Sequence, residues 1–388
     1  LFDLNLAAAE LEDVTAMAGH LGSGPMRGRN HDSAWPRARR ITGYRQARAL
    51  CGLGVLATLI LAGAAGSRAA QAPAAQPVRV IAFGGVSTVP LLIAEARGIF
   101  SRHGVKVVVE FTPNSQVLRD GLAAGKYDVA HAAVDNAVAM VETAGADVVI
   151  VMGSDDSMNE LVVQPAVESV AALRGKTIIV DAPNTAYALQ LRKILLGRGL
   201  VAGEDYTVKP IGGTPQRLEA MLQNTEYAAS MLNPPFSLQA RREGLKSLGF
   251  ASQLIGPYQG IGAFALRSWA RDNRQTLVRY MAAYIEALRW FLDPANKTDA
   301  IAFLATGLKL QAGVAGETYA QAAASPGGLA PDARLSIDGL KNVLKLRAEI
   351  ERQWDGTPPP AERYYDLTYH EAALSRLAGR TKSSKVGL

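Results

Sequence analysis

From Pro77 onward, short apolar runs alternate with stripes of apolar residues at helical spacing. Val78–Ala82, Val105–Phe111, Val129–Ala133 and Val148–Met152 have the length and β-branched content of buried strands. Helical segments lie between them. Pro90 suits the first turn of a helix over Leu91–Arg97 that stops at Gly98, and Asn114-Ser115 opens one carrying Val117, Leu118 and Leu122 up to Gly125. Asp135 is expected to cap Asn136–Thr143. Glu160–Gln164 reads as an extended crossing segment, after which the alternation starts again. Ser169 caps a short helix before Gly175, and Thr177–Val180 is a strand. Asn184 caps Thr185–Leu196, Tyr206–Lys209 is a strand, and Pro215–Gln223 is a helix. Ala228–Leu232 is a strand, Asn233-Pro234-Pro235 starts a helix reaching Glu243, and Leu245–Phe250 is a further short strand. Gly260–Leu266 looks like a second crossing strand. The remainder is helical, with Leu277, Met281, Tyr284, Leu288 and Phe291 on one face and Leu340, Val343, Leu344, Ile350 and Trp354 marking another helix. Tyr369–Leu377 is a last short helix before a polar, frayed end at Thr381–Leu388.

This order predicts an α/β protein with mainly parallel sheets covered by helices on both faces. Two αβ series joined by two crossings predict two lobes. Residues 73–162 plus 260–380 form a discontinuous lobe 1 and 163–259 form lobe 2, with the crossings as a hinge. Open α/β sheets bind ligands beyond the carboxyl ends of their strands, so two such sheets facing each other make a cleft.

The N-terminal stretch changes the picture of where the chain works. Arg37, Arg39, Arg40, Arg45 and Arg48 precede the apolar run Ala49–Ala65, and Ala70-Gln71-Ala72 follows. A basic segment, a short apolar segment and a small-residue cleavage site read as a signal peptide over 37–72, which places the rest in the periplasm. Residues 1–36 are read as an upstream extension outside the fold, with Met17 and Met26 as candidate starts. Arg39-Arg40 is followed by Ile41-Thr42-Gly43, a poor twin-arginine match, so Sec export is expected.

The stretch 1–72 carries eight of the 41 Lys and Arg and five of the 35 Asp and Glu. The 316 residues that remain have a net charge of about +3 and no basic stripe, so nucleic acid is not expected as a partner. The one cysteine, Cys51, stands inside the leader. The mature chain therefore has no disulfide, thiolate nucleophile or Cys-ligated metal. Its histidines, His103, His131 and His370, match no zinc spacing. His131 reads as a satisfied core residue, and the other two as solvated. Tyr280, Tyr284, Trp290 and Phe291 read as helix packing.

Candidate ligand contacts are the loops after strand ends. Gly84-Gly85-Val86-Ser87-Thr88 brings Gly85, Ser87 and Thr88 and free helix-start N–H groups, equally readable as a tight turn with a cap. It is no P-loop, because no Gly-Lys-Ser/Thr ending follows. Asn114, Ser115, Asp135 and Asn136 hold equivalent places, where a plain helix cap is the commoner role. Lobe 2 offers Asn184, Thr185 and Tyr187, then Thr214 after Gly212-Gly213, and Asn233 ahead of Pro234-Pro235-Phe236. Asp155 and Asp156 near the first crossing favour a cationic or donor-rich ligand edge over a compact anion, with at least one of them expected in solvent. Tyr258 at the second crossing either closes over a ligand or packs the hinge. Lobe 1 loops carry no arginine, and Arg217 lies a little inside a lobe 2 helix.

Several segments carry a resemblance. Pro90-Leu91-Leu92-Ile93-Ala94-Glu95-Ala96-Arg97-Gly98-Ile99-Phe100 is followed by Gly104-Val105-Lys106-Val107. Next come Leu122-Ala123-Ala124-Gly125-Lys126-Tyr127-Asp128-Val129-Ala130, then Leu173-Arg174-Gly175-Lys176-Thr177-Ile178 and Val180-Asp181. In this order the chain resembles the periplasmic solute-binding proteins of ABC importers in the nitrate/taurine group. That group includes sulfonate binders and proteins similar to the thiamine-pyrimidine synthases. The resemblance spans roughly 77–270. It implies a two-lobed periplasmic-binding-protein (type II) fold, a monomer without cofactor or metal that hands a small-molecule solute to a membrane permease and its ATPase. The solute stays open between an oxyanion (sulfonate, nitrate or carboxylate) and a polar organic solute such as a pyrimidine precursor, with a lean to the latter. The resembling fold also hosts desulfinases with a Cys nucleophile and pyrimidine synthases with a reactive His and a Cys-rich segment. Here only His131 remains for an enzyme reading. A ligand-sensing extracytoplasmic domain is the third alternative.

Overall fold

Five strands and their covering helices build each of two lobes. The computed structural model describes residues 76–386; the extension expected over 1–36 and the leader expected over 37–72, with Cys51, lie outside the described residues. Lobe 1 holds β1 (Val78–Ala82), β2 (Val107–Phe111), β3 (Val129–Ala133), β4 (Val148–Gly153) and β10 (Ile261–Leu266), in the order β2-β1-β3-β10-β4. Lobe 2 holds β5 (Glu160–Val163), β6 (Thr177–Val180), β7 (Thr207–Pro210), β8 (Tyr227–Leu232) and β9 (Lys246–Phe250), in the order β7-β6-β8-β5-β9.

The two sheets follow one plan. β1 runs parallel to β2 and β3, and β6 runs parallel to β7 and β8. The fourth strand of each sheet is the one that follows a crossing, and it is antiparallel to both neighbours: β10 to β3 and β4, β5 to β8 and β9. Four strands of each sheet therefore run in one direction, as expected of mainly parallel sheets, and one runs against them. Glu160–Gln164, expected as an extended crossing segment, is extended, but Glu160–Val163 is a buried strand of the lobe 2 sheet.

Strand bounds follow burial. β3 is buried along its whole length and packs apolar side chains on both faces, so its run is continuous rather than alternating. Lobe 1 has apolar clusters on both sides of its sheet, and lobe 2 has two smaller ones. The helix at Val89–Ala96 carries Pro90 in its first turn, where the missing N–H costs nothing, and ends before Gly98, whose φ of 63° suits glycine. Residues Asn233 to Pro235 do not start the next helix, which begins at Phe236; proline steers the residue before it out of the helical region. Trp354, expected on the helix containing Leu340, lies beyond its end at Ile350. The final helix extends from Thr368 to Val386, through most of the end expected to fray.

The crossings run side by side. Gly260 N donates to Asp155 O at 3.2 Å, and the Gln259 amide donates to the same carbonyl at 2.9 Å and to Ile261 O at 2.9 Å. C-terminal helices add further ties. Helix Arg274–Leu292 buries Tyr280, Tyr284 and Phe291 in lobe 1, while helix Ile337–Ile350 also packs on lobe 2 helix Ala186–Leu196. Arg192 of that lobe 2 helix pairs with Glu351 and donates to Ile350 O at 3.1 Å. Two histidines expected in solvent are buried: His103 contacts Glu286 at 2.8 Å, and His370 Nε2 contacts Asp332 O at 2.7 Å. Among the described residues no helix is long and apolar enough to cross a membrane.

Candidate functional site

The loops at the strand ends of the two sheets meet. Gly213 N of lobe 2 donates to Pro113 O of lobe 1 at 3.0 Å, and Val86 N donates to Pro234 O at 3.4 Å. Two cavities lie between the lobes. One is lined by Ser87, Asp155, Asn159, Tyr187, Asn233 and Ile261 among others. The other takes in Gly84, Gly85, Thr88, His131 and Thr214 and shares Ser87, Tyr187, Asn233 and Ile261. Each has a volume of about 10 Å³, room for about one water molecule.

Seven of the residues singled out in the sequence line these spaces: Gly85, Ser87, Thr88, Asp155, Tyr187, Thr214 and Asn233. Gly85 sits close to lobe 2: a Cβ there would press on Asn233 Nδ2 at 3.1 Å. The N–H groups of Gly84 and Gly85, two of the lining residues, donate to no backbone carbonyl among the described residues. Thr88 Oγ1 donates to Phe83 O and Gly85 O, both at 3.0 Å, which fixes the turn. Ser87 Oγ donates to Asp155 Oδ2 at 2.6 Å, and Ser157 N donates to Asp155 Oδ1 at 2.8 Å. Tyr284 OH, from the helix over 274–292, donates to Ser87 O at 2.9 Å and contacts Ser154 Oγ at 2.8 Å.

The other seven line neither space. Asn114 is the helix cap that the plainer reading expected, accepting from Val117 N at 2.9 Å. Ser115 and Thr185 both donate to Asp181, the former from lobe 1 at 2.8 Å. Asp135 is not a cap: its helix starts at Asp135 itself, after Val134, and its carboxylate takes two hydrogen bonds from Arg347, at 2.6 and 2.9 Å. Asn184 caps nothing either. The helix there starts at Ala186, and Asn184 offers its carbonyl to Arg347 and its side-chain oxygen to Arg119. Asn136 donates to Ala133 O at 3.3 Å. Tyr258 is buried at the hinge, away from both interlobe cavities.

Sequence reasoning missed His131, Asn159 and Ile261 as lining residues and Asp181 as the hub of the lobe contact. His131 had one legible signal, a titratable residue inside an otherwise apolar strand. Its Nε2 lies 2.7 Å from Tyr280 OH, while Nδ1 has no partner. Asn233 Oδ1 has none either. Buried polar atoms are normally paired, so these two, on residues of opposite lobes that line one space, are exceptions to that pattern.

Burial sets the electrostatics. It pushes Asp155 up to about 6, partly offset by the hydrogen bonds from Ser87 and Ser157, and pushes His131 down to about 3. Burial likewise raises Tyr187 and lowers Arg217. Arg217 is fully buried and its donors are taken by Ser230, Gly212 O, Thr214 and Met231 O, with its guanidinium carbon 4.9 Å from the Tyr187 ring centre. No lysine or arginine lines either cavity.

Opposite pH dependences follow. A carboxyl that holds its proton more tightly folded than unfolded loses stability as pH rises, here between about 4 and 6, by on the order of 2–3 kcal/mol. An imidazole whose native pKa is depressed contributes stability above about 6.5 that is lost as pH falls toward 3. The two oppose each other across the shared window. Asp155→Asn should therefore make the melting temperature fall more steeply from pH 6.5 to 4 than in the parent, as read by scanning fluorimetry. An unchanged slope would refute this assignment of Asp155.

The NMT1-like family profile matches residues 71–305. The chain belongs to the NMT1-like family. No curated protein matches its sequence. Among solved structures, the periplasmic nitrate-binding protein NrtA from Synechocystis PCC 6803 superposes with a TM-score of 0.65 at 15% identity, covering 78% of this chain and 89% of that one. The alkanesulfonate-binding protein SsuA from Xanthomonas axonopodis pv. citri, bound to MOPS, gives 0.62 at 20% identity over 76% and 100%. The zinc-bound ligand-binding component of an ABC-type import system from Staphylococcus aureus gives 0.63 at 13% over 77% and 99%. This NMT1-like chain thus has the two-lobed periplasmic-binding-protein fold. Among the described residues it has no cluster of His, Cys, Asp and Glu suited to a metal.

Proposed function

We propose that this NMT1-like protein is the solute-binding component of an ABC importer, capturing a small polar organic solute between its lobes outside the cytoplasmic membrane. The observation that carries the reading is the pair of unpartnered buried groups, His131 Nδ1 and Asn233 Oδ1, on residues that line one interlobe space from opposite lobes. The space is too small for a solute as it stands, so capture requires the lobes to part and close again about the hinge.

The lining selects the chemistry. The structural neighbours named for nitrate and alkanesulfonate take anions. Here Arg217 is spent on backbone carbonyls, Asp155 is the acidic group at the wall, and the rest are neutral donors and acceptors. The Gly84 and Gly85 amides suit a carbonyl oxygen, and Asn233 Oδ1 suits an N–H. A neutral heterocycle or amide with both edges fits this set better than a compact anion.

Titration calorimetry against neutral pyrimidines, amides, sulfonates and nitrate tests the reading. A neutral ring compound should bind, and Asn233→Ala should weaken it about tenfold, the equivalent of one lost hydrogen bond to the ligand. Tight binding of nitrate alone, or an affinity unmoved in both Asn233→Ala and Tyr187→Ala, would rule it out.

A further inference from the structure

A larger cavity lies not between the facing strand ends but beside the crossings. It measures about 500 Å³, within the roughly 300–1,000 Å³ of small-molecule sites. It shares no lining residue with the two interlobe cavities. Its walls come from both crossings and both lobes: Asp156 and Ser157 from the first crossing, Pro257 and Tyr258 from the second, Phe250 from lobe 2 and Gln321 from lobe 1.

Three features of this wall have no structural use. The Asp156 carboxylate is half-buried yet makes no hydrogen bond or ion pair among the described residues; Arg334 acts on it only at longer range. Ser157 Oγ and Gln321 Nε2 are buried atoms without partners. Ser157 also holds a φ of 67°, a left-handed conformation that costs a non-glycine residue about 1 kcal/mol or more and that the Asp155 contact to its amide maintains. Two aromatic rings, Phe250 and Tyr258, complete the wall.

We propose that this hinge pocket is a second binding site, for a small organic cation carrying a ring, with its ammonium group on Asp156 and its ring against Phe250 and Tyr258. A carboxylate without a partner, at the edge of an aromatic enclosure, attracts a cation by charge and by the ring quadrupoles together. Because both lobes and both crossings form the wall, an occupant favours the lobe arrangement seen here. It would thereby couple to any ligand held between the lobes.

Benzylamine is the probe, titrated into the purified full chain by calorimetry, with benzyl alcohol and benzoate as neutral and anionic counterparts. Saturable benzylamine binding is expected, with neither counterpart competing. Asp156→Asn should weaken it at least tenfold, and Ala324→Trp, at an exposed lining position, should abolish it, both with an unchanged melting temperature. Asn233→Ala should leave it intact, which separates this site from the interlobe reading. No benzylamine binding, equal binding by benzoate, full affinity in Asp156→Asn, or loss in Asn233→Ala would each overturn the proposal.

Discussion

Replacing Arg347 with methionine should destabilise the protein by about 3–5 kcal/mol, the cost of leaving one member of a buried ion pair alone. Arg347 and Asp135 both have 0% side-chain exposure and face each other through two hydrogen bonds. The pair joins the helix at Ile337–Ile350 to the start of the helix at Asp135–Ala144, across 212 positions of sequence. The same guanidinium donates to Asn184 O of lobe 2 at 3.0 Å, so its loss also strips a donor from the lobe contact. Methionine fills much of the volume, which isolates the electrostatic loss from a cavity. Urea unfolding of both forms gives the number. Adding Asp135→Asn to the variant removes the stranded charge and should recover part of the loss. A single-variant loss below about 1 kcal/mol would mean that water or another donor reaches Asp135, contrary to the burial seen.

Local chemistry made much of this architecture readable. β1, β3 and β6 have the limits expected from the sequence, because each is a short, mostly apolar run that its sheet buries along nearly the whole length, with Arg79 of β1 as the exposed exception. Gly85, Ser87, Thr88 and Thr214 were findable because glycines and hydroxyls cluster where a strand end meets a helix start. What stayed hidden depends on distant partners. Glu160–Val163 looked like a connector, since nothing local shows that β8 and β9 flank it. Asp135 and Asn184 looked like caps, because Arg347 lies far along the chain. His103 looked solvated in its turn, because Glu286 comes from a helix 183 positions later. His131 was legible as buried, but its free nitrogen was not, since pairing depends on Tyr280 alone reaching the ring.

Gly260→Ala should cost on the order of 3 kcal/mol and loosen the interlobe wall at the same time, although it adds a single methyl group. A Cβ at this position would lie 2.0 Å from Asp155 Oδ1, 2.9 Å from Ser157 N and 3.0 Å from Ser157 Cα. The carboxylate cannot simply swing aside, because Oδ2 is bound to Ser87 and Oδ1 to the Ser157 amide in a buried setting. Moving it breaks the Ser87 contact that links the Gly84–Thr88 turn to the first crossing. Moving Gly260 instead breaks the hydrogen bond that its N–H donates to Asp155 O, which helps hold the two crossings together. Either response leaves a buried polar group unpaired. The same substitution at Gly316 gives the contrast: that glycine lies within the helix at Ala312–Ala322 with nothing within 4 Å of an added Cβ. There alanine should stabilise by up to about 1 kcal/mol through helix propensity. Thermal unfolding of both variants should therefore show shifts of opposite sign. A Gly260→Ala protein as stable as its parent would show that the crossings tolerate a spacing wider than the one that brings Asp155 to Ser87.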